Sequence, residues 1–278
     1  MKLFDANTWI GRWPFAFLAE RSAREHAAFL RRHGIARALV SPLDAVFAPE
    51  PGPANRRLLE QTRGVPGLVP IPVINPALAN WPEELARVCK DRRVRAVRWL
   101  PSYHNYRLRG ARVEACAAAL LEANLRLVLT ARLVDERHEY FALRIRPLAT
   151  AEISAFLERH PLVPTLITGL YRPDFVTLLS RHRHACGEIS FVEWDRTVER
   201  VLREVPSRQV LFGSHAPFLI AAAGVAKVST AALPDRERDA VARENLSAFL
   251  ADVPSRRTTD APSQAVGRSR TRATQRDG

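Results

Sequence analysis

Lysine is nearly missing from this chain: Lys2, Lys90 and Lys227 are its only three, in 278 residues that carry 42 basic side chains. Arginine therefore supplies almost all of the formal net charge of +13. With so much alanine beside it, that pattern reads as codon composition and not as a built basic stripe, so no specific nucleic-acid partner is expected. Cysteine is also scarce. Cys89, Cys116 and Cys186 are odd in number and widely spaced, with no Cys-x-x-Cys pair, which excludes a disulfide framework and a cysteine-based zinc site. All three are expected to be small core residues in a reducing compartment. The chain has no apolar run of about 18 residues and no basic segment leading into an apolar stretch at its start. The expectation is a cytoplasmic protein with no membrane partner.

What the sequence does contain is alternation. Hydrophobic residues make up 47%, enough for a large core. Short apolar runs such as "KLFDAN", "ARALVSPL", "LVPIPVINP", "VRAVRWLP", "LRLVLTARL", "VPTLITGL", "EISFVEW" and "RQVLFGSHAPF" are separated by stretches with apolar residues at helical spacing. About eight strand–helix units imply parallel strands joined by crossover helices. The expected fold class is α/β, a (β/α)8 TIM barrel over residues 1–253. A doubly wound open sheet is disfavoured because no glycine-rich phosphate loop follows the first strand. Residues 254–278 are polar and carry six arginines against two aspartates, and a disordered Arg-rich tail is expected there.

In such a barrel the chemistry sits at the carboxyl ends of the strands. The residues at those ends are Asp5 and Asn7, Asp44, Asn75, the segment Tyr103–His104–Tyr106, then Arg132, Asp135, Arg137 and His138, Thr168 and Tyr171, Glu193 and Asp195, and Ser214 with His215. Two tyrosines and a histidine within four residues suit stacking on, and hydrogen bonding to, a small carbonyl compound. Arg132 and Arg137 could grip a carboxylate. Each of these residues could instead cap a helix or tie neighbouring loops together. His26, His33, His160, His182 and His184 lie on or beside amphipathic helices and are expected at the surface. Trp13 and Phe15 are expected to plug the barrel end or form a partner contact.

The opening "FDANTWIG", the closing "VLFGSHAPF" and the terminal "RENLSAFL" resemble the amidohydrolase-related family, metal-dependent hydrolases and decarboxylases on a TIM barrel. The resemblance spans roughly residues 2 to 252. It implies first-strand metal histidines at Asn7 and Trp9, a last-strand metal aspartate at His215, and a sixth-strand histidine near Thr168 or Gly169. None of these positions carries the implied ligand. Tryptophan cannot ligate zinc and asparagine is a poor ligand, so no metal and no cofactor is expected. The chain is more similar still to a branch that opens with Asp-x-Asn and Gly-x-Trp-Pro-Phe and carries Tyr-His-x-Tyr and Asp-Glu-Arg segments, matched by Tyr103, His104, Tyr106 and by Asp135, Glu136, Arg137.

The resemblance implies a hydrolase or carboxy-lyase acting on a small carbonyl or carboxylate compound. His215 or His104 would be the general base, Asp5 or Glu193 would orient it, and Tyr103, Tyr106, Arg132, Asp135, Arg137 and Asn7 would contact substrate. A non-catalytic ligand-binding or partner barrel is the alternative. A rearranged metal site using His104, His138, His215 and a carboxylate is a third. A homodimer is expected by analogy.

Overall fold

The computed structural model describes residues 1–251, except Phe17, Glu20, Glu139, Phe141 and Ala142, and without the side chain of His138. The expected disordered tail therefore falls outside the described residues. Strand β1 (Leu3–Ile10) runs straight from the chain start and pairs in parallel with β2 (Ile35–Pro42), which pairs with β3 (Leu68–Pro70). A second parallel run joins β4 (Ala96–Trp99), β5 (Arg126–Thr130), β6 (Thr165–Thr168), β7 (Ala185–Glu188) and β8 (Val210–Leu211). A bridge between Val73 and Arg98 connects the two runs, and the Ala6 and Trp9 amides donate to the carbonyls of Phe212 and Ala216. The sheet closes on itself as an eight-stranded parallel barrel.

The crossover helices are α1 (Ala23–Arg32), α2 (Gly52–Gln61), α3 (Trp81–Cys89), α4 (Ala111–Glu122), α5 (Thr150–Arg159), α6 (Arg172–Arg181), α7 (Thr197–Glu204) and α8 (Ala221–Ser229). Their local signals are physical. Ser22 and Glu25 form a reciprocal capping box that satisfies two orphan amides at the start of α1. Proline stands in the first turn of α2, α3 and α6, where a missing N–H costs nothing. The last described helices are α9 (Asp235–Asp239) and α10 (Asn245–Leu250), joined by a π-helical turn over Ala240–Glu244.

The barrel interior has two layers. The lower one is apolar: Phe4, Ala6, Leu39, Ile71, Ala96, Val128, Leu166 and Leu211, closed underneath by Leu246 and Leu250 of α10. The upper layer follows by strand alternation from the same strands, and it is polar: Ser41, Arg98, Thr130, Thr168 and Glu188. On β1 the alternation breaks, because the pairing with β2 shifts register between Asp5 and Thr8. Phe4 and Ala6 pack in the lower layer, whereas Asn7 and Trp9 reach the axis above it. Asp5 fastens this step by accepting the Asn7 amide at 3.0 Å.

Several expectations are corrected. The seventh strand is Ala185–Glu188, not the later "EISFVEW". A Cβ at Gly187 would lie 2.6 Å from Phe175 Cε2, so only glycine lets α6 lie this close. The third strand is short because Pro70 and Pro72 interrupt its ladder. Of the cysteines only Cys116 is fully buried; Cys89 is exposed at the solvent side of the end of α3, one position past the buried Val88. His26 and His182 are buried, not superficial, since each lies on the inner side of its helix end. Burial pushes the His26 imidazole down to about 4, with Arg21 adding to the effect.

Candidate active site

Arg98 is the first surprise of the upper layer, a fully buried guanidinium projecting from β4 into the barrel axis. Its Nε donates to Ser41 Oγ at 2.9 Å, and its Nη1 donates to Asn7 Oδ1 at 3.1 Å, Thr130 Oγ1 at 3.0 Å and Thr168 Oγ1 at 3.5 Å. The guanidinium carbon lies 4.1 Å over the Trp9 ring, in cation–π contact. Burial pulls the group down to about 9, opposed by the negative charge of Glu188. It remains a cation at neutral pH.

Asn7 connects this cation to an anion. Its Nδ2 donates to Glu188 Oε1 at 3.1 Å and approaches His215 Nδ1 at 2.7 Å, so both amide protons and the amide oxygen are engaged. Glu188 also accepts from the Gly169 amide at 3.1 Å, the Ser190 amide at 2.6 Å and Ser190 Oγ at 2.9 Å. Two glycines make room. A Cβ at Gly213 would sit 2.3 Å from Glu188 Oε2, and Gly169, at φ +76°, would place one 2.0 Å from the Arg132 carbonyl.

His215 follows the last strand with φ 54°, fully buried. Its Nε2 lies 2.6 Å from the Leu133 carbonyl, which fixes the proton on Nε2 and leaves Nδ1 to accept from Asn7. Phe218 stacks at 5.1 Å between centroids, and Phe191 and Trp9 approach edge-on at 5.0 and 6.5 Å. Burial drives the imidazole down to about 3, against the hydrogen bond to Leu133. It is neutral with both nitrogens engaged. Asp5, behind it, accepts the Ser214 and Asn7 amides at 3.0 Å each on one oxygen. Burial raises its carboxyl to about 7, more than those hydrogen bonds lower it.

The other sequence candidates lie around the rim. Tyr103 accepts the Leu133 amide on its hydroxyl at 3.0 Å, so one residue of the β5 loop is pinned from both sides, by Tyr103 and by His215. His104 is half-buried; its Nε2 lies 3.0 Å from the Ala45 carbonyl and its buried Nδ1 has no partner among the described residues. Burial lowers its imidazole. Tyr106 packs on the main core. Arg132 stacks 3.8 Å over the Tyr171 ring and donates to the Gly169 carbonyl and to Glu136, each at 3.0 Å. Asp135 and Arg137 pair with each other at 2.8 Å across their own turn, the arginine 74% exposed. Glu193 is not brought to the set: its side chain is 66% exposed and paired with Lys227 at 2.7 Å. The side chain of His138 is outside the described residues.

Arg98 and Glu188 were not among the sequence candidates. The signal for Arg98 was there, a lone charge at an inward position of the apolar run "VRAVRWL" in a strand buried on both faces. Glu188 was hidden by the misplaced seventh strand, which offered Glu193 in its stead.

A divalent ion does not fit these residues. Asn7 oxygen is taken by Arg98, both His215 nitrogens are engaged, and a guanidinium already stands among the positions in question. Among the described residues no three His, Cys, Asp or Glu side chains converge to hold a metal.

Residues 4–250 match the family described as Amidohydrolase. The chain belongs to that family. Its fold is shared with the 2,6-dihydroxybenzoate decarboxylase of Rhizobium, at 12% identity, TM-score 0.66, and coverage of 90% of this chain and 98% of that one. A 5-carboxyvanillate decarboxylase of Novosphingobium aromaticivorans, complexed with manganese and 4-hydroxy-3-methoxy-5-nitrobenzoic acid, aligns at 9% identity and TM-score 0.70, covering 90% and 96%. A protein described as a probable 2-pyrone-4,6-dicarboxylic acid hydrolase from Acinetobacter baumannii aligns at 12% identity and TM-score 0.64, covering 90% and 99%. No curated protein matches the chain. Among the described residues, no helix of this amidohydrolase-family barrel is long and apolar enough to cross a membrane.

Two large grooves open near these loops. One, of about 590 Å³, is lined by Ser102, Tyr106, Arg107, Arg144, Arg146 and Glu152. The other, of about 620 Å³, lies beside Arg12, Trp13, Phe15, Leu18 and Tyr140. Trp13 packs there against Phe15, Phe47 and Phe218, with centroids 5.1 to 5.5 Å apart. Neither groove is lined by Asn7, Arg98, Glu188 or His215.

Proposed function

We propose that this amidohydrolase-family protein is a hydrolase or carboxy-lyase for a small carbonyl compound bearing a carboxylate, bound at the rim of the barrel and not at its axis. The groove beside Tyr106 carries the reading. Three arginines line it; Arg107 is held by Glu152 at 3.0 Å, while Arg144 and Arg146 stand exposed. Arginine presents paired donors that match a carboxylate. The substrates in the names of the fold neighbours, a dihydroxybenzoate, a carboxyvanillate and a pyrone dicarboxylic acid, all carry a carboxylate on a small ring.

In this reading His104, next in sequence to the groove residue Asn105 and with a buried Nδ1 that has no partner among the described residues, is the general base, and Tyr106 shapes the aromatic side of the groove. Arg132, Asp135 and Arg137 hold the β5 loop, while Asp5, Asn7 and His215 position the rim from below. A second reading, a binding barrel without catalysis, is favoured by the locked and fully engaged His215. A hydrolysis and decarboxylation screen over aromatic and pyrone carboxylates, with His104→Ala and the double variant Arg144→Ala/Arg146→Ala as controls, tests both. Turnover lost in His104→Ala supports the catalytic reading. Turnover untouched by every change sinks it, and saturable binding without turnover selects the second.

A further inference from the structure

We propose that the Arg98 guanidinium takes the place of the divalent ion in this barrel, so that the positive charge at the axis is part of the chain itself. The family resemblance puts metal ligands at Asn7, Trp9, Thr168 or Gly169, and His215. Arg98 touches three of those positions directly: the Asn7 oxygen at 3.1 Å, the Thr168 hydroxyl at 3.5 Å and the Trp9 ring face at 4.1 Å. It reaches the fourth through the Asn7 amide, which lies 2.7 Å from His215 Nδ1.

The replacements are chemically coherent as a set. An amide oxygen, a hydroxyl and an indole face each suit a planar guanidinium, through two hydrogen bonds and one cation–π contact. With no free imidazole or carboxylate among them, they suit a divalent transition-metal ion poorly. Charge is balanced as well. The residues at the four positions are neutral, and the one carboxylate bonded to the Asn7 side chain, Glu188, matches the single charge of Arg98 across that bridge, whereas Asp5 is bonded to the backbone amides of Asn7 and Ser214. An ion entering there would face a fixed cation already hydrogen-bonded to the residues at those positions. Arg98 keeps one nitrogen, Nη2, buried without a partner among the described residues. That leaves donors at the axis for one further oxygen.

The test is metal uptake. Protein purified without chelator, incubated with manganese or zinc chloride and desalted, is expected to hold far less than one equivalent; stoichiometric metal in the native chain overturns the proposal. The specific contrast uses the variant Asn7→His/Trp9→His/Thr168→His/His215→Asp, made with Arg98 retained and with Arg98→Met. Uptake of one equivalent only when Arg98 is gone is the expected result, and equal uptake with Arg98 retained overturns it. Should those chains fail to fold, Arg98→Met is compared with Arg98→Met/Glu188→Gln. Recovery of folded protein on neutralising Glu188 supports the balanced cation, and its absence counts against it.

Discussion

The axis of the barrel and the rim groove beside Tyr106 are both rich in arginine, yet they use it in opposite ways. At the axis one guanidinium is buried and holds four side chains, and the carboxylate opposite is reached through an amide bridge. At the rim Arg144 and Arg146 are exposed, in a groove open to small anions. A buried charge is costly unless it is matched, so the axis is organised around one fixed arrangement. Exposed charges cost little and stay available to a ligand. The difference separates a part that sets geometry from a part that can bind.

The sharpest way to break this contrast is Glu188→Ala. It strips Arg98 of its counter-charge and orphans the Gly169 and Ser190 amides, and should cost about 3–5 kcal/mol in urea unfolding. A loss below about 1 kcal/mol would show that the axis does not depend on matched charge. Next comes His215→Ala, which removes two buried hydrogen bonds and the ring packed against Phe218 and Phe191. Its expected cost is roughly 2–4 kcal/mol.

The pH profile sharpens the axis further. Asp5 has a folded pKa raised by burial from the ordinary 3.8 to about 7, so its contribution is fully present below about 4 and is lost as pH rises through 7. His215, at about 3 against 6.5, contributes above 6.5 and is lost as pH falls toward 3. Stability measured against pH should therefore slope downward between about 4 and 7 from Asp5, and Asp5→Asn should remove that component; an unchanged profile would refute the buried carboxyl. The smallest effect on stability belongs to the rim. Arg144→Ala and Arg146→Ala should leave the unfolding midpoint unchanged while weakening benzoate-type carboxylate binding roughly tenfold for each charge-assisted hydrogen bond lost, read by calorimetry.

How much of this the sequence announced follows from where information is local. Apolar runs at strand spacing and amphipathic runs at helical spacing placed seven of the eight strands, because periodicity is set by neighbours along the chain. It failed at β7, where Gly187 answers a contact with Phe175, which sequence spacing does not display. The same slip substituted Glu193 for Glu188. Asp5, Asn7 and His215 were visible as strand-end polar residues and do meet in one network. Their mutual saturation was not visible, since it depends on Arg98 arriving from β4, some ninety residues later in the chain.

The register step in β1 makes the barrel count residues. Before it, even-numbered side chains look inward; after it, odd-numbered ones do. A deletion of one residue between Asp5 and Thr8 would preserve a plausible strand and an apolar start, yet it would turn the amide away from the guanidinium and carboxylate that it joins. The first strand thus works as a keyed part, in which length is as strict a requirement as chemistry. Substitutions can be tried there one at a time, but insertions and deletions cannot.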